Sequence, residues 1–114
     1  MIKRIPLKSD LALEVMWRQD RSLRVIVVAV FNDDKGYILD YYDTVREAKR
    51  AATHFYSCYR VAVEEGFTLI PGFFVHEGIG CGVNVAEGLA VEEPVEAFRE
   101  VLRMLKAMRF QRSF

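Results

Sequence analysis

The stretch LRVIVVAVF, Leu23 to Phe31, is dense in β-branched residues and apolar at every position after Arg24. Successive side chains of a strand point to opposite faces, so an unbroken apolar run predicts a strand covered on both faces in the middle of a sheet. The next residues, NDDKG, are Asn, Asp and Gly around one lysine, a composition that favours a short hairpin loop. This pattern makes Leu23–Phe31 the predicted centre of the fold.

Five other segments have the composition of strands. They are Ile2–Leu7, Leu11–Trp17, Tyr37–Tyr42, Phe67–Val75 and Ile79–Ala86. The second of these places its larger apolar residues at alternate positions, which is typical of a half-buried strand. Pro6 restricts the first to the edge of a sheet, and Pro71 with Gly72 interrupts the fourth.

Two segments are predicted to form helices. The first begins at Thr44, because Glu47 follows at the spacing of a capping box, and Gly66 marks its end. Its apolar positions recur at helical spacing: Ala48, Ala51, Ala52, Phe55, Tyr59 and Ala62. The second is EEPVEAFREVLRMLKAMRF, in which Pro94 suits the first helical position. Its apolar stripe consists of Val95, Phe98, Val101, Leu102, Leu105 and Met108.

The element order is strands, helix, strands, helix, which indicates the α+β class. We expect a mostly antiparallel sheet of about five strands with two helices packed on one face, in the order β-β-β-α-β-β-α. A chain of 114 residues has the length of one domain, so residues 1–114 are predicted to form a single α+β domain.

The composition, 52% hydrophobic with a mean hydropathy of +0.06, is that of an ordinary globular protein. The longest apolar run, Val25–Phe31, is far shorter than the roughly 20 residues that cross a bilayer. No long apolar segment follows the basic start of the chain, so we expect a cytoplasmic protein without a membrane partner. A low content of Asn and Gln, two of each, is a weak sign of a thermophilic source.

The aromatic residues of the predicted sheet suggest a contact surface. These residues are Trp17, Phe31, Tyr37, Tyr41, Phe73 and Phe74. Two helices cover one face of a sheet, and an apolar face left uncovered is typical of an interface. We therefore expect a non-enzymatic binding or assembly module that forms a homo-oligomer through an aromatic sheet face. In the alternative interpretation, the N-terminal segment folds over that face.

The charges are segregated along the chain although they sum to zero. Residues 61–98 contain seven glutamates and no Lys or Arg, whereas residues 99–114 contain five basic residues and one glutamate. The basic residues of the second helix, Arg99, Arg103, Lys106 and Arg109, could follow the phosphates of a nucleic acid. Alternatively, they form ion pairs with the acidic segment of the same molecule.

The third hypothesis places a metal or small-molecule site in PGFFVHEGIGCGVNVAEG, Pro71 to Gly88. The chain's two histidines and two cysteines, His54, Cys58, His76 and Cys81, could complete a tetrahedral zinc site. Their spacing is not that of common zinc modules, and the cysteines could instead pack as small apolar residues. No G-x-G-x-x-G or P-loop pattern occurs, so we expect no nucleotide cofactor. The alternating glycines instead allow a ring or another backbone segment to approach closely.

Overall fold

The computed structural model describes residues 1–111, apart from the side chains of Asp20, Arg109, Phe110 and Gln111. The chain divides into two compact units, the first covering Met1–Tyr56 and the second beginning at Ser57. The predicted α+β class is confirmed. The single domain stays a prediction.

The first unit contains a four-stranded antiparallel sheet. Its strands are β1 (Lys3–Lys8), β2 (Leu11–Asp20), β3 (Leu23–Asn32) and β4 (Lys35–Tyr42), and they are neighbours in chain order. Two-residue connections join β2 to β3 and β3 to β4, as expected where each strand pairs with the next. The predicted edge strand at the start of the chain is confirmed, with a shift of register next to Pro6.

The centre of β3 is buried on both faces. Five consecutive residues, from Ile26 to Val30, are each at most 2% exposed. Because neighbouring side chains of a strand point to opposite faces, the chain itself covers both faces of this part of the sheet. The uncovered sheet face expected from the sequence is therefore not found at these five residues.

A β-bulge changes which residues of β4 share a face. Val28 pairs with Asp40, but the next residue of β3, Ala29, pairs with Ile38, so Leu39 is an extra residue without a partner in the register. One extra residue moves the following side chains to the opposite face. Tyr37 therefore shares a face with Val30, whereas Tyr41 shares the other face with Val27.

Helix α1 spans Val45–Glu64, so the boundary between the two units falls inside it. The backbone N–H of Glu47 donates a hydrogen bond of 3.1 Å to Oγ1 of Thr44, which confirms the predicted cap. The predicted apolar positions of this helix are all at most 8% exposed: Ala48, Ala51, Ala52, Phe55, Tyr59 and Ala62.

The second unit has a sheet of its own, of three antiparallel strands. They are β5 (Thr68–Ile70), β6 (Phe73–His76) and β7 (Cys81–Asn84), in chain order. A 3-10 helix, Val85–Leu89, and helix α2, Val95–Gln111, follow. The expectation of one five-stranded sheet is therefore wrong. Gly72, with φ of 88°, forms a turn between β5 and β6 where the sequence predicted one interrupted strand.

Phe74 and Phe98 join α2 to the three-stranded sheet. Their rings meet edge to face with centroids 5.5 Å apart, and their exposed fractions are 0% and 4%. Leu102, one turn further along α2, is also completely buried. Aromatic pairs of this geometry add to the stabilisation that burial of their apolar surface provides.

Gly82 provides the clearest case of close backbone approach in the second unit. A Cβ atom at this position would lie 2.5 Å from the carbonyl oxygen of Phe74. We predict that Gly82→Ala lowers the free energy of unfolding by about 1–3 kcal/mol, because the paired strand has to move. Urea denaturation measures the change.

Gly80→Asn is the matched control. No heavy atom lies within 4 Å of a Cβ at Gly80, and its φ of 64° is in the left-handed region that asparagine tolerates. Its expected cost is below about 1 kcal/mol. Equal costs for the two variants would show that β6 and β7 do not pack as closely as described.

Candidate functional site

The six aromatic residues predicted as one interface do not share a surface. The register places Trp17 with Ile26 on the face that carries Tyr37, and places Phe31 on the face that carries Tyr41. Phe73 and Phe74 belong to the other sheet. Phe74 lies in the core of the second unit, because it is completely buried.

Exposure also separates these aromatic residues. Trp17, Tyr41 and Phe73 are 41%, 53% and 48% exposed, whereas Phe31 and Tyr37 are half-buried. Burial raises the pKa of Tyr37 to about 12, as expected for a hydroxyl partly removed from water. The sheets therefore present individual aromatic side chains to solvent.

The basic residues of α2 converge on one carboxylate, that of Glu65. Lys106 Nζ lies 2.8 Å from Glu65 Oε1, and Arg103 Nε lies 3.4 Å from the same oxygen. Arg99 Nη1 contacts Glu65 Oε2 at 3.0 Å, and its Nη2 contacts Glu64 Oε2 at 2.9 Å. We refer to Glu65, Arg99, Arg103 and Lys106 as the Glu65 cluster.

Glu65 has the least exposed side chain of this cluster. Its side chain is 10% exposed, whereas that of Glu64 is 55% exposed. The hydrogen bond from Lys106, with those from Arg103 and Arg99, lowers the pKa of Glu65 from 4.5 to about 2, although burial acts to raise it. The ionised carboxylate is thus strongly favoured in the folded unit.

The Glu65 cluster bears directly on the nucleic-acid hypothesis for α2. Arg99, Arg103 and Lys106 are all engaged by carboxylates of the same unit, which reduces the positive field that they offer to phosphates. The fourth predicted residue, Arg109, belongs to α2, but its side chain lies outside the described residues. The alternative of ion pairs within one molecule is confirmed for the three described residues.

A row of apolar side chains on α2 faces solvent. Val101, Met104 and Met108 are 38%, 59% and 49% exposed, and Ala97 is half-buried. The four residues are separated by four, three and four positions, the spacing of a helix-pairing seam. We call Ala97, Val101, Met104 and Met108 the α2 stripe.

The Glu65 cluster and the α2 stripe lie on different sides of the helix. Met104 and Lys106 are two residues apart, which places their side chains about 160° apart around the axis. The core residues Phe98 and Leu102 occupy a third sector between Lys106 and Val101. The chain therefore buries one part of the apolar surface of α2 and leaves the adjacent part exposed.

An open depression of about 400 Å³ lies on the β6–β7 hairpin. It is lined by Phe73, Val75, His76, Glu77, Gly80, Cys81 and Gly82. His76 and Cys81 are partners in the register, at the point where the two strands separate into the turn. The structure thus brings together two of the four predicted metal ligands on adjacent strands.

The His76 ring is half-buried and packs closely against its neighbours. It meets the Phe67 ring edge to face, with centroids 5.2 Å apart. Cβ atoms added at Gly66 and Gly78 would lie 2.9 and 3.1 Å from the ring, so both glycines allow its close packing. Among the described residues, no hydrogen-bond partner faces its buried Nδ1 atom.

The remaining predicted ligands, His54 and Cys58, lie on α1. Cys58 is completely buried, and burial raises the pKa of its thiol to about 12, so it stays protonated and packs as a small apolar residue. Among the side chains that the structure describes, no three of His, Cys, Asp or Glu lie close enough together to hold a metal ion.

Comparison with protein-family models, with curated proteins and with solved structures finds no match for this chain. No helix in the described part of the chain has the length and apolar character required to cross a membrane.

Two residues of these surfaces did not emerge from the sequence. Met104 lies outside the predicted apolar stripe of α2, yet it is the most exposed member of the α2 stripe. Glu65 is one of the seven glutamates of residues 61–98, and the charge pattern does not distinguish it from the others. The one local signal for Glu65 is its position just before Gly66, at the end of α1, where a carboxylate can point away from the helix.

We predict that Glu65→Gln lowers the free energy of unfolding by about 1–3 kcal/mol, because three charged donors lose their ionised acceptor. Glu64→Gln removes a single contact at a largely exposed site and should cost less than about 1 kcal/mol. Urea denaturation at neutral pH compares the two variants. Equal costs would contradict the special role of Glu65.

The stabilisation by Glu65 should also depend on pH. Its pKa in the folded state lies below its ordinary value, so its contribution is fully present above about pH 5 and is lost as the pH falls towards 2. The difference in unfolding free energy between the native protein and Glu65→Gln should accordingly shrink in acid. If this difference in unfolding free energy stays constant down to about pH 2, the stabilisation does not come from the ionised carboxylate of Glu65.

Proposed function

We propose that this protein is an assembly module that binds a second copy of itself along the α2 stripe. The observation that carries the proposal is the exposure of three large apolar side chains in one row: Val101, Met104 and Met108. Large apolar side chains exposed next to one another are typical of interaction surfaces rather than of solvated helix faces.

The spacing of the α2 stripe supports another helix as the occupant. Intervals of four, three and four residues keep the side chains in line over about three turns, as in paired helices. Two methionines in the row favour a contact that adapts its shape, since their side chains are unbranched and flexible.

The chemistry of the α2 stripe supports a second copy as the partner. The row contains no charged residue, so an identical row can pack against it without burying a charge. A two-fold axis near Met104 would place the two helices antiparallel, with each row meeting itself. The Glu65 cluster, on another side of the helix, would keep its ion pairs in such a dimer.

The proposed homo-oligomer is the one predicted from the sequence, but its contact surface is the α2 stripe instead of the aromatic sheet residues. The aromatic sheet residues are distributed over two faces and two sheets, and Phe74 is buried. The α2 stripe is the most continuous row of large exposed apolar side chains among the described residues.

The test is sedimentation analysis at two protein concentrations. We predict a dimer that dissociates on dilution, and a Met104→Glu variant whose dissociation constant is raised on the order of 30-fold or more, as for a central interface residue. Tyr41→Glu is the matched control, since Tyr41 is similarly exposed but lies in the four-stranded sheet.

The outcomes separate the two possible surfaces. A native protein that stays monomeric at high concentration would refute self-association altogether. A dimer that survives Met104→Glu but dissociates in Tyr41→Glu would place the contact on the sheet, as the sequence first suggested. Circular dichroism of both variants checks that each remains folded.

A further inference from the structure

The β2–β3 hairpin extends past the covered part of the four-stranded sheet. From Trp17 to Arg24, all described side chains are exposed, whereas the strand centres are buried on both faces. The register continues to the turn, with Arg18 opposite Val25 and Gln19 opposite Arg24. The hairpin end, residues 17–24, is therefore a two-stranded ribbon with solvent on both faces.

This hairpin end is basic. It contains Arg18, Arg21 and Arg24 against a single acidic residue, Asp20. Among the side chains that the structure describes, no carboxylate forms an ion pair with any of these three arginines. In this they differ from Arg99, Arg103 and Lys106 of the Glu65 cluster, which contact carboxylates.

Trp17 holds one of these arginines in place. The guanidinium carbon of Arg24 lies 4.5 Å from the centroid of the Trp17 ring. Trp17 and Gln19 point to the same face, and Gln19 is the register partner of Arg24, so the contact runs diagonally across the two strands. A guanidinium packed on a ring loses less freedom when it binds a phosphate.

The two residues of the β2–β3 turn adopt a backbone conformation that is unfavourable for their residue types. Arg21 and Ser22 have φ values of 49° and 72°, in the left-handed region where asparagine and glycine are preferred. The hairpin thus places an arginine at its outermost point despite an unfavourable backbone conformation. Strained positions of this kind concentrate where a side chain has a role in binding.

We propose that the hairpin end binds duplex nucleic acid by entering a groove. A two-stranded ribbon fits the major groove of B-form DNA, which is about 12 Å wide. The three arginines would contact phosphates on either side of the groove. Gln19 and Ser22, both exposed, supply donors and acceptors for base edges or phosphates.

A duplex fits this surface better than a lipid bilayer does. Leu23, 69% exposed, is the only large aliphatic side chain at the hairpin end, and insertion into a bilayer relies on apolar area. Three arginines and two polar side chains instead match a partner with regularly spaced phosphates. The expected affinity is electrostatic in origin and therefore falls steeply with added salt.

The test uses a fluorescein-labelled 20-base-pair DNA duplex and the full chain at low salt, with binding followed by anisotropy. Trp17 is the single tryptophan, so quenching of its fluorescence reports binding at the hairpin end directly. We expect the Arg21→Gln/Arg24→Gln double variant to bind at least about 10-fold more weakly. The slope of log affinity against log salt should fall by about 2 units.

The matched control is Lys49→Gln/Arg50→Gln, which removes two exposed charges from α1 in the same unit. It should retain affinity within about threefold of the native protein. Absence of DNA binding by the native protein would overturn the proposal, and so would equal losses in the two double variants. Thermal unfolding followed by circular dichroism confirms that both variants are folded.

Anionic phosphatidylserine vesicles form the second arm of the test. Binding to these vesicles that is lost in Leu23→Ser, together with no DNA binding, would assign the hairpin end to a lipid surface and overturn the proposal. DNA binding that Leu23→Ser leaves within about threefold supports it, because the phosphate contacts come from the arginines.

Discussion

The carboxylate of Glu65 is the point on which the second unit depends. It accepts hydrogen bonds from three basic side chains of α2 and is itself largely buried. A helix held by three contacts along one side has a fixed rotation about its axis. That rotation decides which part of the apolar surface of α2 packs on Phe74 and which part, the α2 stripe, faces solvent.

The same cluster explains how the segregated charges of the chain are used. The glutamates at the end of α1 and the basic residues of α2 neutralise each other inside one unit. Leaving a largely buried carboxylate without its charged partners costs free energy. Arg99, Arg103 and Lys106 are therefore expected to keep their contacts with Glu65 rather than to bind another anion. The arginines of the β2–β3 hairpin end, far from α2 in sequence, form no ion pair with a described carboxylate.

Local sequence signals were sufficient to predict most of the secondary structure. Thr44 and Glu47 specified the start of α1, and the periodicity of its apolar residues specified its buried side. The division of the strands into two sheets was harder to predict, because the pattern of a single strand does not show where one sheet ends and the next begins. One extra residue, Leu39, places Tyr37 and Tyr41 on opposite faces, and regular alternation from the sequence would have placed them together. The Glu65 cluster joins residues 34 to 41 positions apart, which periodicity within one helix does not reveal.

The measurement closest to the central claim is a pH titration of the Glu65 side chain, followed by the ¹³C chemical shift of its carboxyl carbon. We predict a pKa of about 2 for Glu65, held there chiefly by Lys106, with partial return towards 4.5 in Lys106→Gln. A Glu65 carboxyl that titrates near 4.5 in the native protein would show that the three basic side chains do not stabilise its ionised form. The rotation of α2 would then have no fixed anchor at the end of α1.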